Sequence, residues 1–288
     1  MGYLVGVVCD CGAPLEAGGR ERNEDSFLVC ADGEARVLVE GAEQRRPIEG
    51  DGMLLGVFDG MGGHASGHIA SAAAARVMAK LYQPGAPKRP ARVLLRYLRQ
   101  AHDTLHQRTR GPDGKGTMGT TATVAWLLRG QLNWAHVGDS RLYHWRAGRL
   151  TRLSEDHTRN AFLKRDGRPI EPTTGEQLAQ NFIFGSRGFG HDAQLRLEHA
   201  LDSGTEPLEP GDRVLLCSDG ISGVLDDERL ATLLGAEMSP EAHAQALTTA
   251  ALAAGSLDNV TALVVHVDPT PDGFVDTWTD DGEETVMF

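Results

Sequence analysis

The chain has 288 residues, 41% of them apolar, which is enough to bury a large core and excludes a wholly disordered chain. Lys and Arg total 28 against 40 Asp and Glu, a formal charge of −12, so no overall basic field is present to hold a nucleic-acid backbone. Four cysteines (Cys9, Cys11, Cys30 and Cys217) are too few for a disulfide framework in a chain this long, and Cys9 and Cys11 form CxC, not the zinc-type CxxC.

Residues 3–8 form an apolar opening with no basic residue before it, too short for a signal core, and no later stretch reaches the length of a membrane span. A soluble, cytoplasmic protein without a membrane partner is expected. Short apolar runs rich in branched or aromatic residues, bounded by Gly, Asp or Asn, predict strands at 53–58, 121–128, 132–137, 214–217 and 260–267. Arg129-Gly130 lies between two of them and predicts a hairpin, and a strand at 141–145 follows the turn Gly138-Asp139-Ser140. Helical periodicity covers 67–82 and 91–107, where Leu94, Leu98, Ala101 and Leu105 share a face, and a third helix is expected at 240–254. Strand clusters with helices segregated between them predict an α+β layered domain with mostly antiparallel sheets. Residues 268–288 are acidic, contain no Lys or Arg and are expected to form a disordered tail.

Several of these strands end at an aspartate: Val57-Phe58-Asp59-Gly60, Val137-Gly138-Asp139-Ser140 and Leu216-Cys217-Ser218-Asp219-Gly220, with Asp258-Asn259 just before the last strand. Strand ends held by a sheet are good platforms for a shared site. Carboxylates crowded without cations repel and raise one another's pKa, and a bound hard cation resolves the conflict. Oxygen ligands without a His-Cys set select Mg²⁺ or Mn²⁺ over Zn²⁺. Any single Asp-Gly is more often a turn than a ligand, and Asn23-Glu24-Asp25 alone is equally a solvated run.

Order and context decide between these readings. Arg20-Glu21-Arg22-Asn23-Glu24-Asp25-Ser26, Gly56-Val57-Phe58-Asp59-Gly60-Met61-Gly62-Gly63-His64, Gly119-Thr120-Thr121-Ala122, Val137-Gly138-Asp139-Ser140-Arg141, Glu155-Asp156-His157-Thr158, Ser218-Asp219-Gly220 and Asp258-Asn259-Val260-Thr261 occur in that order. Together, across residues 5–267, they resemble the metal-dependent type 2C protein phosphatases, most nearly the bacterial Ser/Thr branch. The resemblance implies a four-layer α-β-β-α sandwich with two central antiparallel sheets. The catalytic domain would cover residues 1–267, with a flap at 159–192, followed by the acidic tail. It implies hydrolysis of phosphoserine and phosphothreonine in proteins by a metal-bridging hydroxide, reversing a bacterial Ser/Thr kinase, with that kinase or its targets as partners of a monomer.

By the family's pattern Asp59 bridges two Mn²⁺ or Mg²⁺ ions, with the Gly60 carbonyl on one and Asp219 and Asp258 on the other. Glu24 and Asp25 would hold metal-bound waters, and Asp139 with Asp219 a third, weaker ion. Arg20, four residues before Glu24, corresponds to the phosphate-gripping arginine, with Arg22 as the fallback. The chemistry suits these residue types: water between two cations roughly 3.5–4 Å apart is acidic enough to attack phosphorus as hydroxide, and a guanidinium fork matches two phosphate oxygens. The cysteines lack the Cys-x5-Arg loop of a thiol-based phosphatase.

The chain also departs from the family. Met61 stands where many eukaryotic relatives have the His proposed as proton donor, and a thioether cannot donate. His64 is a candidate donor and equally a loop histidine satisfying backbone groups. Residues 31–51 are an extra, charged stretch expected to form an elaborated hairpin of unassigned role. Two other functions compete. A catalytically dead phosphoprotein binder would commonly have lost a metal aspartate, whereas Asp59, Asp219 and Asp258 are all present; a hydrolase of small phosphate esters fits the same residues.

Overall fold

The computed structural model describes residues 2–39, 41–47, 50–61, 67–108, 119–157 and 201–268. Its strands are β1 (Gly2–Asp10), β2 (Ser26–Ala31), β3 (Glu34–Val39), β4 (Ala42–Pro47), β5 (Met53–Phe58), β6 (Gly60–Met61), β7 (Gly119–Thr120), β8 (Ala122–Leu128), β9 (Gln131–Val137), β10 (Arg141–Arg146), β11 (Arg149–Arg152), β12 (Asp202–Pro207), β13 (Arg213–Cys217) and β14 (Val260–Asp268). Its helices are α1 (Gly67–Ala79), α2 (Pro90–Arg108), α3 (Asp219–Ser222), α4 (Asp227–Gly235) and α5 (Pro240–Ala253). Among the described residues, one sheet has the order β1-β14-β13-β10-β11, the other β12-β9-β8-β5-β2-β3-β4, and β6 and β7 form a small ribbon. All pairings in both large sheets are antiparallel.

Alternation along the strands sets the layers, because successive side chains of a strand point to opposite faces. Phe27, Val29, Leu55 and Val57 of one sheet pack with Leu216, Leu263 and Val265 of the other in a central apolar layer. Their neighbours Leu28, Leu54 and Phe58 turn outward onto α1 and α2, while Leu215, Cys217, Ala262 and Val264 turn outward beneath α3, α4 and α5. Strands buried on both faces therefore read as continuous apolar runs, and the result is the α-β-β-α sandwich expected.

Local chemistry explains the element ends. Arg129 and Gly130 both have positive φ, 52° and 70°, as a tight hairpin turn between β8 and β9 requires. Helix α5 starts where Ser239 caps it by accepting from the Ala242 N–H at 3.2 Å, with Pro240 in the first turn. Helix α1 stops at Ala79, short of the expected 82, because Lys80, Leu81 and Tyr82 donate to carbonyls three residues back and tighten the last turn. The expected hairpin at 31–51 is present as β3 and β4. β1, β2, β6, β7, β11, β12, α3 and α4 were not expected. Among the described residues, no helix is long and apolar enough to cross a membrane.

A buried polar network lies beneath the β9–β10 turn. Gly138 there adopts φ 113°, and any side chain would strike Thr121. His136 Nε2 lies 3.1 Å from both the Gly138 and Glu155 carbonyls. It must carry the hydrogen, so Nδ1 accepts from the Thr123 hydroxyl at 2.9 Å. His157 Nδ1 accepts from the Gly138 N–H at 3.1 Å and its Nε2 meets Asp202 at 2.9 Å. Burial, reinforced by His157, pushes the His136 pKa down to about 3 from 6.5. The folded state therefore refuses a proton that the unfolded state accepts between these values, and stability falls as pH drops through that window by about 1.4 kcal/mol per pH unit. In urea unfolding between about pH 4 and 6, His136→Asn should remove a slope of about that size; an unchanged slope would show that His136 does not set it.

Candidate active site

The same edge of both sheets gathers the acids. Ser26 of β2 pairs with Phe58 of β5, so Asp25 and Asp59 are neighbours just beyond the strand ends. In the facing sheet the ladder of β13 and β14 continues past Cys217 through Ser218, whose N–H donates to the Thr261 carbonyl at 3.1 Å and whose Oγ accepts from the Thr261 N–H at 3.0 Å. That brings Asp219, the first residue of α3, and Asp258, just before β14, to the same edge. Asp59 is fixed from both sides: its N–H donates to Thr121 Oγ1 at 2.9 Å, and its carbonyl accepts from the Thr121 N–H at 2.8 Å.

The carboxyl groups crowd. Asp25 is buried, and its Oδ2 accepts from Thr261 Oγ1 at 2.6 Å, a bond that crosses from one sheet to the other. Burial and the charges of Asp219 and Asp258 push its pKa up to about 7, against hydrogen bonds from Thr261 and Ser218. Asp59 is raised well above the usual carboxylate range by burial and by Asp25, Asp219, Asp139 and Asp258. Asp219 is raised by burial and by Asp258, with Asp59 close enough to oppose that rise. Carboxyl groups crowded this closely favour a neutralising partner such as a hard cation. Asp219 Oδ1 is buried with no hydrogen-bond partner.

Glu24 is placed by its backbone. Its N–H donates to Asn259 Oδ1 at 2.8 Å, and its carbonyl accepts from the Gly60 N–H at 3.2 Å and from Ser71 Oγ at 2.6 Å. The Gly67 N–H, opening α1, bonds its carboxylate, whose pKa burial nonetheless raises. A Cβ at Gly67 would lie 2.7 Å from both the Glu24 carboxyl carbon and the Gly60 carbonyl oxygen, so only glycine lets these two oxygen donors converge. Arg20 also reaches the site: its Nε and Nη2 grip Asp258 Oδ1 and Oδ2 at 2.8 and 2.6 Å. The Arg22 side chain is exposed, and its carbonyl accepts from Asn259.

The structure thus draws Asp59, Asp219, Asp258, Asp25, Glu24, the Gly60 carbonyl and Arg20 to one edge, with Asp139 close enough to act on Asp59 electrostatically. Among the described residues, no three His, Cys, Asp or Glu side chains lie close enough to hold one ion by themselves; Asp258 is turned to Arg20. The hard oxygen set and the orphaned Asp219 oxygen nonetheless fit divalent cations. His64, the flap at 159–192 and the tail beyond Asp268 lie outside the described residues. Residue types alone did not disclose four supports: Thr121, Ser218, Thr261 and Asn259. The Asn259 amide donates to the Cys11 and Arg22 carbonyls at 3.0 and 3.1 Å. Cys9, 3.0 Å from Thr261 Oγ1, is held protonated by burial and Asp25 and is no nucleophile.

Residues 47–255 match the family described as Protein phosphatase 2C. A putative protein phosphatase 2C-type of Streptococcus pyogenes is 28% identical over 216 residues, covering 74% of this chain and 85% of that protein. Serine/threonine protein phosphatase PstP of Mycobacterium tuberculosis is 35% identical over 222 residues, 74% of this chain but 40% of that longer protein. Among solved structures, the S. agalactiae serine/threonine phosphatase superposes with a TM-score of 0.71 at 25% identity, covering 93% of this chain and 100% of its own. The PstP catalytic domain in complex with 2 manganese ions gives 0.67 at 29% identity, covering 93% and 99%. With its acids converging where the two sheets end, the chain belongs to the protein phosphatase 2C family and is a serine/threonine protein phosphatase.

Proposed function

We propose that the chain hydrolyses phosphoserine and phosphothreonine esters with two Mn²⁺ or Mg²⁺ ions at the Asp59–Asp219 edge, and that it reverses the work of Ser/Thr kinases. The observation that carries this reading is the pair Asp59 and Asp219, brought together from opposite sheets, with one Asp219 oxygen buried and unpartnered. Asp59, Asp219, Asp258 and the Gly60 carbonyl would hold the ions, Glu24 and Asp25 their waters, and Asp139 a third, weaker ion. Two cations held there would supply positive charge against the phosphoryl oxygens and make a bound water more acidic. The manganese pair in the PstP catalytic domain supports this choice of cation.

The chain's own residues orient and select. Thr261 and Ser218 aim the Asp25 carboxylate, and the Gly67 N–H aims Glu24, all without adding charge that would compete with a cation. Arg20 presents a planar fork of N–H donors at the exposed rim, the geometry that two phosphate oxygens require. Met61 has no proton to give, so the leaving alkoxide takes its proton from water in this reading. The four cysteines are free thiols, which suits a cytoplasmic setting.

Phosphate release from a phosphothreonine peptide should require Mn²⁺ or Mg²⁺ and stop in EDTA. Asp219→Asn should lower it at least about a hundredfold; activity that survives EDTA would end the proposal. Arg20→Lys should raise KM for the same peptide about tenfold or more. The Mn²⁺ concentration for half-maximal activity should stay unchanged or fall, because the competing fork on Asp258 is weakened. An unchanged KM would remove Arg20 from the phosphate site.

A further inference from the structure

The charge of −12 is an average over two unlike halves. Residues 67–108, the helical layer on the β5 sheet, contain eight Lys or Arg and one acid, Asp103, whereas residues 219–255, the layer on the opposite sheet, contain six acids and one Arg. On the basic side, a groove of about 400 Å³ runs between β4 and the C-terminal half of α1, lined by Arg45, Arg46, Arg76 and Lys80 over an apolar floor that includes Val37 and Val77. Arg45 is committed to Glu43 and Glu34 at 2.6 and 3.4 Å. Arg76 meets only the neutral Gln44 amide at 3.5 Å. Among the described residues, Arg46, Arg76 and Lys80, all exposed, form no ion pair with a carboxylate. Three like charges converging on one groove repel until an anion neutralises them.

The position relative to the catalytic edge is fixed by α1. The helix begins at Gly67, whose N–H holds Glu24, and rises about 1.5 Å per residue, so Arg76 lies about 14 Å and Lys80 about 20 Å from that edge. An extended peptide covers about 3.3 Å per residue, so four to six residues, roughly, join the two places. We infer that the groove between β4 and α1 docks an acidic segment of the phosphoprotein substrate, four to six residues from the phosphorylated side chain. The carboxylates meet Arg46, Arg76 and Lys80, and their aliphatic stems cover Val37 and Val77. The catalytic edge is itself crowded with carboxyl groups, which repel a substrate's own acids and favour placing them away from that edge. This inference rests on the phosphatase reading for its substrate but not for the binding.

The test has a catalytic and a binding arm. Phosphothreonine peptides carrying four Glu four to seven residues from the phosphate, on either side, are compared at low ionic strength with versions carrying Gln. The Glu block on one side should lower KM about tenfold with kcat unchanged, and R46E/K80E should erase the difference while leaving hydrolysis of p-nitrophenyl phosphate intact. Separately, a fluorescent, unphosphorylated Glu-block peptide should bind the full chain about tenfold tighter than R46E/K80E by anisotropy. If neither peptide is hydrolysed while binding shows this loss, the phosphatase reading fails and the groove stands. Equal binding by wild type and R46E/K80E, or equal KM for Glu and Gln peptides, overturns the groove. So does a short single-stranded DNA that displaces the peptide at equal concentration, marking a general polyanion surface. A full-length variant with the acids of residues 269–288 changed to Asn and Gln that binds the peptide tenfold tighter would make the chain's own tail the occupant, and would also overturn it.

Discussion

Crowded carboxyl groups resist being brought together, and this chain brings them together at a place where they cannot move apart. Asp25 and Asp59 follow from the Ser26–Phe58 pairing of β2 with β5, and Asp219 arrives from the facing sheet at the end of β13. Each is anchored to a strand whose side chains are buried on both faces, so repulsion at the edge acts against close-packed layers. Burial and that mutual repulsion raise the pKa values of Asp25, Asp59 and Asp219 together. A scaffold that holds acids in this way stores affinity for a hard cation, because the cation neutralises charges that otherwise repel.

The supporting residues around that edge are chosen for what they lack. Thr261, Ser218 and Thr121 orient carboxyl groups or backbone through neutral hydroxyls, and Asn259 uses an amide to hold three backbone groups at once. A lysine in any of these positions would satisfy the acids and leave nothing for a metal. The guanidinium that does reach them, Arg20, sits at the exposed rim, where solvent weakens its grip on Asp258.

Strands β5, β8, β9, β13 and β14 were legible because burial on both faces makes them continuous apolar runs, and the aspartates at their ends were legible with them. β1 was not, since its partner β14 lies at the other end of the chain. β4 was legible only as one arm of the hairpin at 31–51, since its residues are all exposed and its identity as a strand rests on its ladder with β3. Helix α3, with four residues, is too short to show a period. The acids, the glycine carbonyl and Arg20 could be named from order and resemblance. The tasks of Thr121, Ser218, Asn259 and Thr261 could not, because each depends on partners 43 to 248 residues away or on a facing strand. The grip of Arg20 on Asp258, across 238 residues, has the same character.

The link from Thr261 to Asp25 and the reach of Asn259 back to Cys11, Arg22 and Glu24 join segments more than 230 residues apart. On the ribosome the amino-terminal portion emerges first, so Asp25 and Asp59 wait through most of translation for the segment that orients them. A product released before residues 258–261 are made therefore lacks Asp258, the Thr261 hydroxyl that aims Asp25 and the Asn259 amide that holds the backbone around it.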